Sequence, residues 1–270
     1  MEKEALYRLA KYLEDKRIYS VSGDDEIKKR KRGKQYTYSD HLRGLIYALL
    51  TNQREWSVII PKLPKIDKLF FNYDYNEIKK HPGEYYLKGI LNLSAGNISI
   101  KAQMMALHEN MDILKKIERK YGSLDKYVTS KDPEKIVKEL SSSGSEYKIK
   151  QLGPALAWEY LRNVGIDGAK PDLHLQRFFG CNRMGLSVSE KASNKEIINE
   201  IKRLSKETGY TQFEIDALIW NYCADGLGQI CTAEPKCNKC VIREYCKNCG
   251  NKNSIPSKKM SLFDRLMKRK

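Results

Sequence analysis

No stretch of this 270-residue chain approaches the ~18 uninterrupted apolar residues that a membrane-spanning helix requires. Alternating apolar and polar runs of the strand type are nearly absent as well, so the expectation is an all-α protein. The N-terminal segment MEKEALYRLAKYLEDK is a charged amphipathic helix and not a signal peptide, which points to a soluble, intracellular protein with no membrane partner. No internal repeat is visible. Acid is also in short supply: 34 Asp and Glu stand against 50 Lys and Arg, for a net charge of +16 and a pI near 9.4. That balance makes a polyanion the first partner to test.

What is present is helical. Residues 3–16 read as a first helix, followed by a polar, basic stretch over 17–38. Ser39 is the expected N-cap of a helix carrying Leu42, Leu45, Ile46, Leu49 and Leu50 on one face, an i, i+3, i+4, i+7, i+8 stripe that marks a core element. Its periodicity stops at Thr51-Asn52-Gln53-Arg54-Glu55-Trp56. One or two helices follow over 98–121, with methionines as core filler. Asp132 and Pro133 start another, which leads into Ile136, Val137 and Leu140. Later helices are expected over 193–206 and from the capping box Thr211-Gln212-Phe213-Glu214 through to Cys223.

Two segments concentrate the positive charge. Residues 28–34 hold six basic residues in seven, and residues 253–270 hold six against one Asp. Either solvated charge runs or direct phosphate contacts account for them. Five of the seven cysteines fall in 231–249 as C-x5-C-x2-C-x5-C-x2-C, a spacing that suits metal binding in a reducing compartment better than a disulfide framework. Cys237-x2-Cys240 with Cys246-x2-Cys249 would make a tetrahedral zinc site. Cys181 and Cys223 read as buried thiols.

The chain is organised around GSEYKIKQLGPALAWEYLRNVGIDGAKPDLHLQRFFGC, residues 144–181. Gly153 and Pro154 break a helical pattern, and Ala157 opens a second run with Leu156, Tyr160 and Leu161 at helical spacing, a tight helix-turn-helix hairpin. A helix starting there turns free N–H groups and its positive dipole end outwards, which suits a phosphate. Asp172 follows.

Hairpin, trailing acid and cysteine cluster together resemble the endonuclease III branch of the helix-hairpin-helix DNA glycosylases, over about residues 39–246. The resemblance implies a two-lobed all-α fold: a helical barrel over 36–158 ending in the hairpin, and a second lobe from 1–35 plus 159–270 carrying the cluster loop (231–249) and basic tail (253–270). It implies double-stranded DNA bearing a lesion, mismatch or modified base as the substrate, a monomer working in the cytoplasm or at the nucleoid, and base excision as the activity. It implies a 4Fe-4S cluster on Cys231, Cys237, Cys240 and Cys246, since their spacing nearly reproduces the family's, whose first gap is one residue longer, with zinc as the alternative and Cys249 spare. Lys236, Lys239 and Arg243 on that loop would face the DNA backbone.

The same resemblance gives Asp172 the catalytic role. As the base leaves, positive charge builds on the sugar, and a carboxylate at ~4 Å in an effective dielectric of ~20 stabilises it by about 4 kcal/mol, roughly a thousandfold in rate. It gives Gln53 the space vacated by the extruded base. Arg54, Lys148, Lys150, Gln151, Gly153 and Ala155 are the expected DNA contacts, and Trp56 and Tyr160, with Trp158, the candidate stacking partners of the base. Two departures matter: Gln151 replaces the family's first hairpin glycine, and Ala155 replaces the Schiff-base lysine of bifunctional members. The expectation is therefore a monofunctional glycosylase, with a lyase using a displaced Lys148, Lys150 or Lys170, or a catalytically silent DNA-binding module, as the alternatives. Ala48 stands where adenine-specific members carry a Glu, which argues against adenine excision of their type.

Overall fold

The computed structural model describes residues 1–18, 25–53 and 56–247, the side chains of residues 56 and 57 excepted. Arg54, the indole of Trp56, Cys249 and the basic tail 253–270 therefore lie outside the described residues. Among the described residues the protein is all-helical, with no strand. The helices are α1 (Lys3–Asp15), α2 (Asp25–Lys31), α3 (Tyr38–Leu50), α4 (Trp56–Ile59), α5 (Leu63–Leu69), α6 (Tyr75–Lys79), α7 (Gly83–Asn92) and α8 (Ile100–Met105). They continue with α9 (Leu107–Tyr121), α10 (Leu124–Thr129), α11 (Pro133–Ser141), α12 (Pro154–Asn163), α13 (Leu173–Phe178), α14 (Asn194–Thr208) and α15 (Gln212–Cys223). None is long and apolar enough to cross a membrane.

Two hydrophobic cores form: residues from Tyr36 to Ile166 build the first, joined by Ile198, and α1 with the rest of the chain after Ile166 builds the second. The first is built on α3, whose Leu42, Leu45, Ile46, Leu49 and Leu50 are all buried, as their spacing predicts. Its N-cap is Thr37 and not Ser39. Thr37 has Asp40 three residues on, so the two close a capping box, whereas the Ser39 hydroxyl donates to the Tyr73 carbonyl at 3.0 Å. Helix α12 packs along α3, with the Asn163 amide donating to the Gly44 carbonyl at 2.9 Å. Helix α2 leans on the same core: Arg30 donates to both oxygens of Asp125, at 2.5 and 3.3 Å, and to the Val164 carbonyl. Lys29 and Lys34 pair with Glu26, so part of the basic run 28–34 is neutralised within the fold.

The second core gathers α1, α13, α14 and α15 with the cysteine loop. Capping boxes at Ser193 and Thr211 start α14 and α15 where the sequence places them. Of the one or two helices expected over 98–121, two form, α8 and α9, divided at Ala106. The hairpin also differs from its expected compact form. Helix α11 ends at Ser141, and Gly144, at φ 83°, lies in the segment 142–152 that joins it to α12. A serine run followed by a glycine favours leaving the helix early, because serine hydroxyls compete for backbone groups and glycine admits the left-handed region.

Candidate nucleic-acid interface and active site

The joining segment is held by side chains from beneath. Buried Asn110 of α9 brackets the Lys150 peptide, accepting its N–H at 2.7 Å and donating to its carbonyl at 3.1 Å. Gln151, at φ 60°, then occupies the left-handed region that favours glycine, so the resembling family's glycine has a backbone reason to be there. An exposed Gln held this way costs ~1–2 kcal/mol relative to a glycine, less the extra chain entropy that glycine loses on folding. Gln151→Gly is accordingly expected to stabilise the protein by about 0.5–1 kcal/mol, read as a small rise in Tm. An unchanged or lower Tm would show that the side chain makes up for its backbone.

Gly153 caps α12 with no side-chain bond, and Pro154 occupies its first turn. The first-turn amides of this ten-residue helix thus have no side-chain acceptor among the described residues, and a Cβ built on Gly153 would meet nothing within 4 Å. Ala155 is exposed beside them. Exposed Lys150 carries an ion pair to Glu109 at 3.3 Å, and half-buried Lys148 donates to the Leu152 carbonyl at 2.5 Å. Burial, with the neighbouring Lys150, pushes the Lys148 ammonium below its usual range.

Asp172 is the N-cap of α13. Its Oδ1 accepts the amides of His174 at 2.8 Å and Leu175 at 3.1 Å, while Oδ2 has no partner among the described residues. Capping therefore uses one carboxylate oxygen and leaves the other for chemistry. His174, absent from the sequence-based candidates, stands with its ring edge-on to Trp220 and a buried Nδ1 that has no partner among the described residues. Its one signal in the sequence is adjacency, two residues beyond the acid.

Gln53 lies exposed just past the end of α3, at φ 52°. The loop beside it is tied down firmly. The Asn97 amide donates to the carbonyls of Leu49 at 2.8 Å and Leu50 at 3.4 Å, and Asn52 donates to the Ser99 hydroxyl at 3.1 Å. Ile98 sits between those anchors and is 85% exposed. No hydrogen bond or ion pair joins Gln53 to the hairpin or to Asp172 among the described residues.

Tyr160 is not a base-pocket residue. It is 1% exposed, with its hydroxyl 2.7 Å from Nδ1 of the fully buried His41. Burial keeps that histidine neutral against the pull of Asp125. Asp125 completes the group, its Oδ1 3.5 Å from His41 Nε2: burial alone would raise its carboxyl, but the adjacent His41 and the bonds from Arg30 hold it down at about 2. Trp158 is likewise core, packed on Gly168, where a Cβ would come within 2.3 Å of the indole.

Cys231, Cys237, Cys240 and Cys246 line one space, shared with Met184, Ile230, Pro235 and Ile242. Cys223 lies outside that lining but against Cys231. Its hydrogen bond favours the Cys231 thiolate, and Arg183 assists, with Nη1 3.0 Å from the Cys231 sulfur and 2.7 Å from its carbonyl. Lys236, Lys239 and Arg243 are exposed on the same loop. Among the described residues no three Cys, His, Asp or Glu side chains form a group that could hold a single metal ion.

No protein-family model and no curated protein matches the chain. Among solved structures, the Methanocaldococcus jannaschii 8-oxoguanine glycosylase/lyase in complex with a 15mer DNA containing 8-oxoguanine is 22% identical, with 74% of this chain and 87% of that one covered at a TM-score of 0.48. A likeness of that size bears on neither activity nor substrate.

Proposed function

We propose that this protein is a DNA N-glycosylase of the helix-hairpin-helix superfamily, of the endonuclease III type. It would excise a damaged, mismatched or modified base flipped from duplex DNA. The observation that carries the reading is the pairing of an uncapped helix start at Gly153-Pro154 with a trailing carboxylate, Asp172, held through one oxygen and free at the other. The first-turn amides of α12 would bind a backbone phosphate. Oδ2 of Asp172 would stabilise the positive charge on the sugar or orient the attacking water.

An exposed aliphatic side chain on an anchored loop suits insertion between base steps, where it would hold open the stack from which the base has been drawn. Ile98 has that form, and Gln53 next to it would fill the gap. Ile98→Ala should leave Tm unchanged, because the side chain is 85% exposed, and lower excision from duplex about tenfold while sparing a single-stranded substrate. Equal loss on both substrates would exclude the wedge.

Four cysteines lining one space support a 4Fe-4S cluster on Cys231, Cys237, Cys240 and Cys246, with zinc as the alternative. Such a cluster would serve as a structural clamp, holding the loop whose Lys236, Lys239 and Arg243 offer cations to the DNA backbone.

The lysines bear on the mode of cleavage. Ala155 has no amine, Lys150 pairs with Glu109, and Lys170 pairs with Glu159 at 3.5 Å, which supports hydrolysis without strand nicking. One observation favours the second reading: Lys148 lies beside the hairpin with its ammonium destabilised, the condition a Schiff-base amine needs. Borohydride added during turnover decides between them. Free base released with no trapped complex supports the hydrolytic enzyme, and a trapped complex that disappears in Lys148→Gln supports the lyase.

A further inference from the structure

The link between the two cores is fixed in an unusual way. After Ile166, whose N–H bonds to the Leu161 carbonyl, no residue of 167–171 takes part in a backbone-to-backbone hydrogen bond among the described residues. Side chains anchor the strap instead. Asp167 accepts the amides of Gln212 at 3.2 Å and Phe213 at 3.0 Å at the start of α15. Arg162 of α12 donates to the Gly168 carbonyl through Nε at 3.4 Å and Nη2 at 3.2 Å. Asp216 of α15 accepts the Lys170 N–H at 2.7 Å, and the same oxygen, Oδ2, pairs with Nη2 of Arg162. Arg162 also lies 4.7 Å over the Phe213 ring.

Both members of this pair are buried, Arg162 at 8% exposure and Asp216 at 4%. Burial drives the Asp216 carboxyl upward, opposed by Arg162 and the Lys170 amide. A buried ion pair contributes little net stability over a well-packed apolar pair, so its worth lies in the geometry it imposes. Here the geometry is that of residues 168–170, and Pro171 passes it on to Asp172. The acid is thus gripped on its C-terminal side by the α13 amides and on its N-terminal side by the strap.

We propose that Arg162 and Asp216 are positioning residues for Asp172, setting the carboxylate against the sugar of a bound nucleotide. This inference rests on the glycosylase reading. Small misplacement of a catalytic group costs up to ~100-fold in rate without a matching loss of binding.

The test compares wild type, Asp216→Asn and the double variant Arg162→Met/Asp216→Leu, which removes both charges so that neither is left buried alone. Tm, affinity for a lesion duplex, single-turnover excision and amide hydrogen exchange across 167–172 are measured on each, with Asp172→Asn alongside. The expected result for the double variant is a folded protein that binds within about threefold of wild type, excises roughly 10- to 100-fold more slowly and has lost protection at the Lys170 amide. Asp216→Asn, which keeps an acceptor for that amide, should recover most of the rate. A folded, tightly binding double variant with the wild-type rate, or with Lys170 protection unchanged, overturns the proposal. Full excision by Asp172→Asn would instead sink the glycosylase reading itself, which separates the two failures.

Discussion

Asp172→Asn is expected to abolish base excision while leaving fold and DNA binding in place. Asn is as good an N-cap as Asp, so the bonds from the His174 and Leu175 amides to Oδ1 survive the change and the stability of α13 is kept. What is lost is the negative charge near the sugar, worth about 4 kcal/mol at ~4 Å, so single-turnover excision should fall by roughly a thousandfold. Affinity for duplex should hold or rise slightly, since a negative charge beside a polyanion opposes binding. Asp172→Ala separates the two roles, because it additionally removes the cap and should lower stability by about 1 kcal/mol. Excision at the wild-type rate by the Asp172→Asn variant would leave Asp172 as a cap alone.

Removing one of the thiols proposed to hold a cluster should have the largest effect on stability. Cys240→Ser is expected to eliminate absorbance near ~400 nm in anaerobically purified protein and to lower Tm by at least about 10 °C. Structural metal binding supplies folding free energy directly, and ~3 kcal/mol is worth about that shift in a chain of this size. DNA affinity should fall with it as the loop bearing Lys236, Lys239 and Arg243 loosens. Cys181→Ser is the control, because Cys181 does not line the space the four thiols share. Its absorbance and Tm should match wild type. Stoichiometric zinc and no visible absorbance in the wild-type protein would replace the cluster with a zinc site.

Local signals in the sequence are legible where chemistry and periodicity act within a few residues. The α3 stripe, the helix over 193–206, the capping box at Thr211 and the helix start at Pro133 all depend on spacings of about eight residues or fewer. Ser39 competes with Thr37 as the cap of α3 because both residue types cap well, and Asp40, the residue that decides, closes the box only with Thr37. Tyr160 reads as a stacking partner because an aromatic on a helix has the same appearance in a core and in a pocket. Only its bond to His41, 119 positions away, separates the two.

The features that escape a sequence reading are tertiary. Ile98 has no pattern around it, and its exposure follows from Asn97 reaching the carbonyl ends of α3. The Arg162–Asp216 pair joins residues 54 apart across both cores. Arg183 reaches Cys231 from 48 residues upstream. Gln151 is the intermediate case. The resemblance marks its position as one for glycine, and the backbone at φ 60° supplies the reason, so a departure with the look of lost function is a local strain the fold tolerates.

The central claim is that a base leaves and the strand stays whole. It is tested most directly by incubating the protein with duplexes that each carry one lesion, mismatch or modified base, then resolving the strands with and without hot alkali. The account predicts breaks on at least one duplex that appear only after alkali and are absent with Asp172→Asn. Intact strands on every duplex after alkali, with tight binding that the substitution leaves unchanged, would contradict it and leave a protein that holds DNA without acting on it.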